Sequence, residues 1–386
     1  MILLYRHAQF PDRPELVREV ARASASLHEQ LAHLDPDGLD LSDYTRGYLR
    51  RYQRKLPTHL QKFAWVLSWG LAGVDKPLSR TTLLEYGGGC GILSLLAREC
   101  GVGTVVYNDI YDVACLDAET LAQATGNTAH QYICGDITDV VESMLGTPRS
   151  YDAVVSSDVI EHIYDIDGFF SELPRLSRGQ LSLSLSTHAN THNPVVRREL
   201  TRKQVRVELE NREYETGHKK RDSLRSYFEI RREIVGECSE SLSESRIEEL
   251  ARLTRGRTDA DVRSAVFTYL ETGTLPAAPK HPTNTCDPLT GNWQDRFIEP
   301  TEIVDGLAKA GFDVNVSPGS YGTPHGRVKQ TLAGVLDCLI SMFPGEGLKL
   351  APFFLVHGSG DMTLRAKAQP AGITPLLSSV SGTRSG

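Results

Sequence analysis

Long apolar runs are missing from this chain. No stretch approaches the ~20 consecutive apolar residues that cross a bilayer, which argues against a membrane protein. Ile2, Leu3 and Leu4 give way at once to Tyr5-Arg6-His7, too short for the apolar part of a secretion signal. Cysteine is sparse: seven residues, at 90, 100, 115, 134, 238, 286 and 338, with no C-x-x-C pair. An odd, scattered set favours reduced thiols over a disulfide framework, so a soluble, cytoplasmic protein is expected. Excess positive charge is also lacking, since 42 Lys and Arg face 49 Asp and Glu for a net charge of -7. No overall basic field exists to hold nucleic acid, and no nucleic-acid partner is expected. Internal repeats are absent. What remains is a chain of 386 residues, 24% charged, long enough for a large core and for additions around one α/β domain.

The informative stretch is Thr81 to Ile92, TTLLEYGGGCGI. It starts as a strand, turns on Gly87-Gly88-Gly89 and enters a helical apolar pattern at Gly91. Such a turn gathers backbone N–H groups and the positive end of a helix at one point, where a ligand can approach bare backbone. Downstream, Thr104–Asp109 reads as a second strand whose last residue is acidic, eighteen positions beyond Gly91. A carboxylate there can accept hydrogen bonds from both hydroxyls of a ribose, and the spacing is near the ~20 of dinucleotide folds. His130–Cys134 is strand three, closed by Gly135-Asp136-Ile137; Tyr151–Ser157 is strand four, leading into Asp158-Val159-Ile160-Glu161-His162-Ile163; Leu181–Thr187 is strand five. This alternation of strands and helices implies a parallel, doubly wound sheet.

Glu85-x-Gly87-x-Gly89-x-Gly91, Asp109, Gly135-Asp136-Ile137 and the run from Asp158 resemble, in order and spacing, class I S-adenosylmethionine-dependent methyltransferases over about residues 80 to 190. The resemblance implies that Glu85 and the three glycines cradle the methionine part of S-adenosylmethionine. It further implies that Asp109 with Ile110 holds the ribose end, that Asp136 and Ile137 frame the adenine, and that Ser157 borders the site at the end of strand four. The rival is an NAD-type dehydrogenase, because Gly89-Cys90-Gly91 followed by Ser94 approximates G-x-G-x-x-G. A dehydrogenase does not account for the later stations. A catalytically silent cofactor-binding scaffold is a third possibility.

The expected fold is α/β: a doubly wound, mostly parallel seven-stranded sheet with N-terminal helices and a large helical insertion after strand five. Residues 1–78 form an N-terminal helical cap, in which Tyr44, Tyr48 and Tyr52 recur at helical spacing and either pack on the domain or cover the methionine end of the cofactor. Residues 79–192 are the binding core, 193–296 a helical insertion, 297–365 the rest of the sheet, and 366–386 a disordered tail. Within 197–232 twelve Lys and Arg face seven acids, while 233–249 holds six acids and one base, so the insertion reads as a salt-bridged cap over the acceptor. Ser245 with Glu248 suggests a capping box. The loop from Lys280 to Trp293, dense in hydrogen-bonding side chains, is a candidate specificity loop. Strand six is Phe312–Val316 and strand seven Ala351–His357, with a helix from Arg327 to Met342 between them where the family has a tight hairpin. That helix gathers Leu332, Val335, Leu339 and Met342 on one face.

Methyl transfer to a hydroxyl or ammonium needs an aligned nucleophile, a dry site and a proton acceptor. Ligands of open α/β sheets lie beyond the carboxyl ends of the strands. Asp158, Glu161 and His162 follow strand four, and His188 and His192 follow strand five, so all five are expected near the transferred methyl group. His188 is the favoured base, then His162, then Asp158, since histidine suits proton transfer near neutral pH. Asp158-x-x-Glu161-His162 also resembles the metal-binding arrangement of ubiquinone-type O-methyltransferases, with Asp in place of the first Glu, although nothing else in the sequence calls for a metal. No Asn-Pro-Pro-Tyr-type sequence follows strand four, which disfavours methylation of DNA adenine or glutamine. The expected acceptor is a small or medium polar metabolite, methylated on oxygen in preference to nitrogen.

Overall fold

The strands read from the sequence assemble into one sheet. The computed structural model describes residues 4–213, 219–324 and 326–363, so the tail expected from residue 366 lies outside the described residues. The strands are β1 (Thr82–Tyr86), β2 (Thr104–Asp109), β3 (Gln131–Cys134), β4 (Ala153–Ser157), β5 (Gln180–Thr187), β6 (Asp313–Pro318) and β7 (Phe354–Asp361). They lie in the order β3-β2-β1-β4-β5-β7-β6, with β7 antiparallel to both neighbours and β1 to β5 parallel. β1, β4 and β5 are buried along most of their length; β1 and β4 carry adjacent apolar residues, whereas β5 alternates leucine with serines that are themselves buried.

Helices α1 (Pro14–Ala32), α2 (Asp43–Arg54) and α3 (Leu56–Ala72) precede the sheet. α4 (Ile92–Glu99), α5 (Asp112–Thr125), α6 (Ile137–Glu142) and α7 (Ile166–Glu172) connect its parallel strands. Leu27, Leu31, Leu60, Leu67, Leu96 and Leu121 of α1, α3, α4 and α5 share one core with Leu83 and Val105 of the strands. Val140, Phe169 and Leu307 belong to the core on the other face.

After β5 come α8 (Pro194–Leu209), α9 (Tyr227–Cys238), α10 (Glu244–Leu253) and α11 (Asp259–Thr272). Val207, Ile230, Val235, Leu250, Val262 and Val266 give them a hydrophobic centre of their own, so the insertion is a folded helical unit. Its basic residues find acidic partners within it: Arg225 with Glu233, Arg232 with Glu229 and Glu244, Arg263 with Glu237, and the buried Arg231 with Glu208. The expected Ser245 capping box does not form. Ser243, extended at φ -69° and ψ 154°, caps α10 two residues earlier by accepting from the Arg246 N–H.

The chain re-enters the sheet through α12 (Pro300–Lys309) and β6, then runs through α13 (Arg327–Met342) and α14 (Pro344–Gly347) into β7. A helix does separate the last two strands. β7 lies a few residues later than expected and runs through Gly358-Ser359-Gly360, which reads as a break in the sequence. Glycine is required at 358 because a Cβ there would meet the Asp313 carbonyl oxygen at 2.0 Å. The register, Thr187 opposite Phe354 to Gln180 opposite Asp361, extends the strand to the full length of β5.

Candidate active site

The turn after β1 puts Gly87, Gly89 and Gly91 in left-handed conformations, at φ +71°, +56° and +76°. A side chain at 87 would strike Val159 at 2.5 Å, whereas at Gly89 nothing lies within 4 Å, so the turn is bare where a ligand would approach. Asp109 braces this turn: Oδ2 accepts from the Gly89 N–H at 2.9 Å and Oδ1 from Tyr111 N–H at 2.9 Å. Buried Glu85 accepts from the Ser94 N–H at 2.8 Å, joining β1 to the first turn of α4. Burial pushes its carboxyl up to about 8, against the opposing effect of the Ser94 hydrogen bonds. The glycine cradle and the carboxylate at the end of β2 fit the adenosyl and methionine parts of S-adenosylmethionine.

Ile110 is exposed beside Asp109. The Asp136 carboxylate caps α6, accepting from Thr138 and Asp139 N–H at 2.7 and 3.3 Å, while Ile137 is buried in the core. Ser157, at the end of β4, accepts from the Ser186 hydroxyl at 3.1 Å. The tyrosines of α2 pack in series, with centroids 4.9 Å apart for Tyr44 and Tyr48 and 6.2 Å for Tyr48 and Tyr52. Tyr44 stands edge-on to Tyr111 at 5.3 Å, so this helix does rest on the domain beside Asp109. Lys219 of the insertion comes here as well. Its Nζ is 3.8 Å from Asp109 Oδ1 and 5.6 and 5.9 Å from the Tyr44 and Tyr111 ring centres. Arg221 donates to the Ile110 carbonyl at 3.3 Å.

At the ends of β4 and β5 a second group of charges assembles. His188 Nδ1 is 3.0 Å from Glu161 Oε1 and 3.4 Å from Asp158 Oδ1, and Nε2 is 3.0 Å from Asp295 Oδ1. Lys62 of α3 holds both oxygens of Asp158, at 2.7 and 2.6 Å, and Lys203 of α8 is 3.6 Å from Asp295. Burial alone would lower the pKa of His188. The hydrogen bonds to Asp158, Asp295 and Glu161 outweigh it and hold the imidazole well above its usual range. Asp158 and Asp295 lie well below the ordinary carboxylate range, because Lys62 and His188 for the first and His188 for the second overcome the cost of burial.

Two backbone positions in this group are strained. Asp158 (φ 60°) and Asp295 (φ 45°) are the only non-glycine residues with positive φ among the described residues. Each such conformation costs on the order of 1 kcal/mol, and the surrounding bonds enforce it. Asp295 lies two residues beyond the loop expected to set specificity, Lys280 to Trp293. The chain on either side of Asp295 pairs backbone to backbone with the segment after β4: Trp293 N–H donates to the His162 carbonyl at 3.2 Å and Arg296 N–H to the Glu161 carbonyl at 3.1 Å.

Of the five ionisable residues expected together, Asp158, Glu161 and His188 meet directly, and His162 joins through Asp295 at 3.8 Å. His162 Nδ1–H donates to the Trp293 carbonyl at 2.8 Å, a bond that fixes the ring to the loop. His192 does not join them. It pairs with Glu299 at 3.2 Å and lines a separate cavity of about 640 Å³ with Arg197, His281 and Phe297. Asp158, Glu161 and His188 also offer donor atoms within 4.8 Å of one another, so the possible metal ligands include His188 in place of His162. Lys62 and the protonated His188 already compensate these carboxylates.

Sequence reasoning missed Lys62, Lys203, Lys219 and Asp295. Lys62 alone left a signal: it is a lysine among Leu60, Phe63, Ala64 and Leu67, which are buried on the same helix. The other three act through tertiary placement of the insertion.

A family model described as a methyltransferase domain matches residues 84–180, the stretch from within β1 to the start of β5. No curated protein matches the chain. Among solved structures, the YcgJ protein of Bacillus subtilis matches at 20% identity over 34% of this chain and 53% of that one, TM-score 0.28. Magnesium protoporphyrin IX methyltransferase of Synechocystis PCC 6803 with bound SAH matches at 22% over 36% and 64%, TM-score 0.28. An S-adenosylmethionine-dependent methyltransferase of Mesorhizobium loti matches at 14% over 74% and 93%, TM-score 0.33. The chain spans less than two thirds of the length of the first two proteins. The dinucleotide dehydrogenase order 3-2-1-4-5-6 has no antiparallel β7 beside β5, whereas this sheet has one. The matched stretch lies on that sheet, with the glycine turn and Asp109 at its carboxyl end, so residues 84–180 are similar to a methyltransferase domain.

Proposed function

We propose that this enzyme methylates a hydroxyl oxygen of a small or medium polar metabolite, and that the group around His188 receives the acceptor. The observation that carries this reading is the charge balance of that group. Three carboxylates, Asp158, Glu161 and Asp295, face Lys62, Lys203 and a protonated His188. A site without net charge has no field to draw in an ammonium, but its many donors and acceptors suit a neutral polyhydroxylated molecule. About a third of the His188 and Asp158 side chains is exposed, so the acceptor side is open, which weighs against a silent scaffold.

Glu85, Gly87, Gly89, Gly91 and Asp109 would hold S-adenosylmethionine, with Ile110, Ile137, Asp136 and Ser157 along its edge. When bound, it supplies a methyl group on a positively charged sulfur. Glu161 and Asp158 keep the proton on Nδ1 and so fix the ring, and the neutral Nε2 takes the proton of an acceptor hydroxyl that replaces the Asp295 carboxylate beside it. His162 is a positioning residue that anchors the Asp295 loop. The scattered free cysteines support a reducing, cytoplasmic setting.

The test compares His188→Ala with His162→Ala in turnover on a panel of hydroxylated and amino metabolites, with S-adenosylmethionine affinity measured alongside. Loss of the base should lower kcat by about 10²–10⁴-fold with cofactor binding retained. Equal turnover in wild type and His188→Ala would remove His188 from the chemistry. Methylation confined to amines would overturn the choice of oxygen.

A further inference from the structure

A stripe of large apolar residues on α13 faces away from the protein. Val328, Leu332, Val335, Leu339 and Met342 follow one another at alternating steps of four and three, the spacing of a coiled-coil seam. They are 83%, 59%, 54%, 38% and 62% exposed, and Phe343 extends the stripe. The inner face is made instead by Ala333, Asp337 and Ile340. Asp337 fixes that orientation by accepting from the N–H groups of Tyr321 at 2.7 Å and Gly322 at 3.2 Å. The seam is therefore turned outward by a specific anchor.

Six such side chains leave roughly 600 Å² of apolar surface in one strip, at the upper end of the largest patches on monomers. Two strips face to face would bury about 1,200 Å², the lower limit for a stable specific interface. We propose that the occupant is a second copy of this chain, with α13 packed antiparallel on its counterpart about a two-fold axis near Val335. The flanking charges select this arrangement. Arg327 and Lys329 stand at the start of the helix, while Thr331, Gly334, Leu336, Cys338 and Ser341 along its sides carry no charge. Antiparallel pairing brings each basic end to the carbonyl end of the other helix, and parallel pairing would set the four cations side by side. This dimer is independent of the catalytic reading, since no residue of the stripe belongs to the site.

The experiment is sedimentation equilibrium of the full chain from about 1 to 100 μM. Wild type should form a species of twice 42.6 kDa. Leu332→Glu combined with Val335→Glu, which sets like charges together at the axis, should weaken association at least ~100-fold while thermal midpoint and S-adenosylmethionine affinity stay unchanged. Oxidation should cross-link Val335→Cys into a covalent dimer and leave Val328→Cys uncross-linked. That second pair of variants reads the geometry without burying a charge. A wild-type chain that stays monomeric over the range overturns the proposal, including one that co-sediments with phosphatidylcholine vesicles through this stripe. So does a dimer that survives both glutamates, and cross-linking at both 335 and 328 overturns the antiparallel arrangement.

Discussion

Replacing Asp295 with Asn tests how the site sets the basicity of His188. Asp295 Oδ1 lies 3.0 Å from His188 Nε2, and its side chain is 6% exposed against 34% for the imidazole. Two unit charges at that distance interact by about 1.4 kcal/mol even with full water screening, close to one pH unit of proton affinity. The buried carboxylate makes the coupling larger than this limit, and the exposed side of the ring keeps it below the dry-interior value. Asp295→Asn preserves shape and a hydrogen-bond acceptor, so His188 should titrate about one to two pH units lower. Glu161 and Asp158 still hold Nδ1, so it should remain above 6.5. The assay is NMR titration of the histidine ring carbons, with His188 assigned by His188→Gln, beside a pH profile of turnover. In the proposed function the neutral ring is the proton acceptor, so turnover in wild type should rise through a midpoint well above 6.5. That limb should move down with the titration in Asp295→Asn. A wild-type midpoint at or below 6.5, or one unmoved by Asp295→Asn, would refute the reasoning.

Four further outcomes follow from the same geometry. Because His188 is raised, its stabilisation is complete below about pH 6.5 and lost as pH climbs through its folded value; Asp158 and Asp295 are depressed, so theirs is present above about pH 3.9 and lost on acidification. The thermal midpoint of wild type minus that of Asp158→Asn should therefore be largest between about pH 4 and 6.5. Lys219→Ala should tighten S-adenosylmethionine binding a few-fold by calorimetry, since Lys219 Nζ at 3.8 Å competes for the Asp109 carboxylate. S-adenosylmethionine binding at pH 7 should release close to one proton in calorimetry across buffers of different ionisation enthalpy, because Glu85 titrates near 8 before a cationic ligand arrives; Glu85→Gln should abolish the release. Gly87→Ala should lower stability by about 2 kcal/mol or more in chemical denaturation, since φ is +71° and Val159 stands 2.5 Å from the added carbon.

Sequence and structure agree best where chemistry is local. Glu85, the three glycines and Asp109 lie within one βαβ unit, and their spacing alone brings them to the carboxyl end of neighbouring strands. The helix between β6 and β7 was legible from its apolar period, but the period cannot say which way the seam points. That was decided by Asp337 and the N–H groups of Tyr321 and Gly322, sixteen and fifteen residues away. The ends of β7 were obscured for a different reason. Gly358 and Gly360 lower strand propensity, yet the close approach of β6 and of the Gly311 carbonyl demands them.

The group around His188 shows why the candidate site was the harder part. Asp158 and Lys62 are 96 residues apart, and Asp295 lies more than a hundred residues beyond His188, so no window along the chain contains the arrangement. The five ionisable residues could be placed at one end of the sheet because strand ends define a locus. Their partners could not, and the partners reverse the expected chemistry. A histidine alone after β5 would be neutral and ready to accept a proton at pH 7. With carboxylates on both ring nitrogens, His188 is a stronger base that rests protonated. The insertion and its loop therefore do more than the cap expected of them: they bring Asp295 to His188 and Lys219 to Asp109, and so add charge at both places. A variant with residues 197–275 replaced by a linker thus loses Lys203 and Lys219 together, so cofactor affinity and the His188 titration should both change, where an inert cap would leave them as they are.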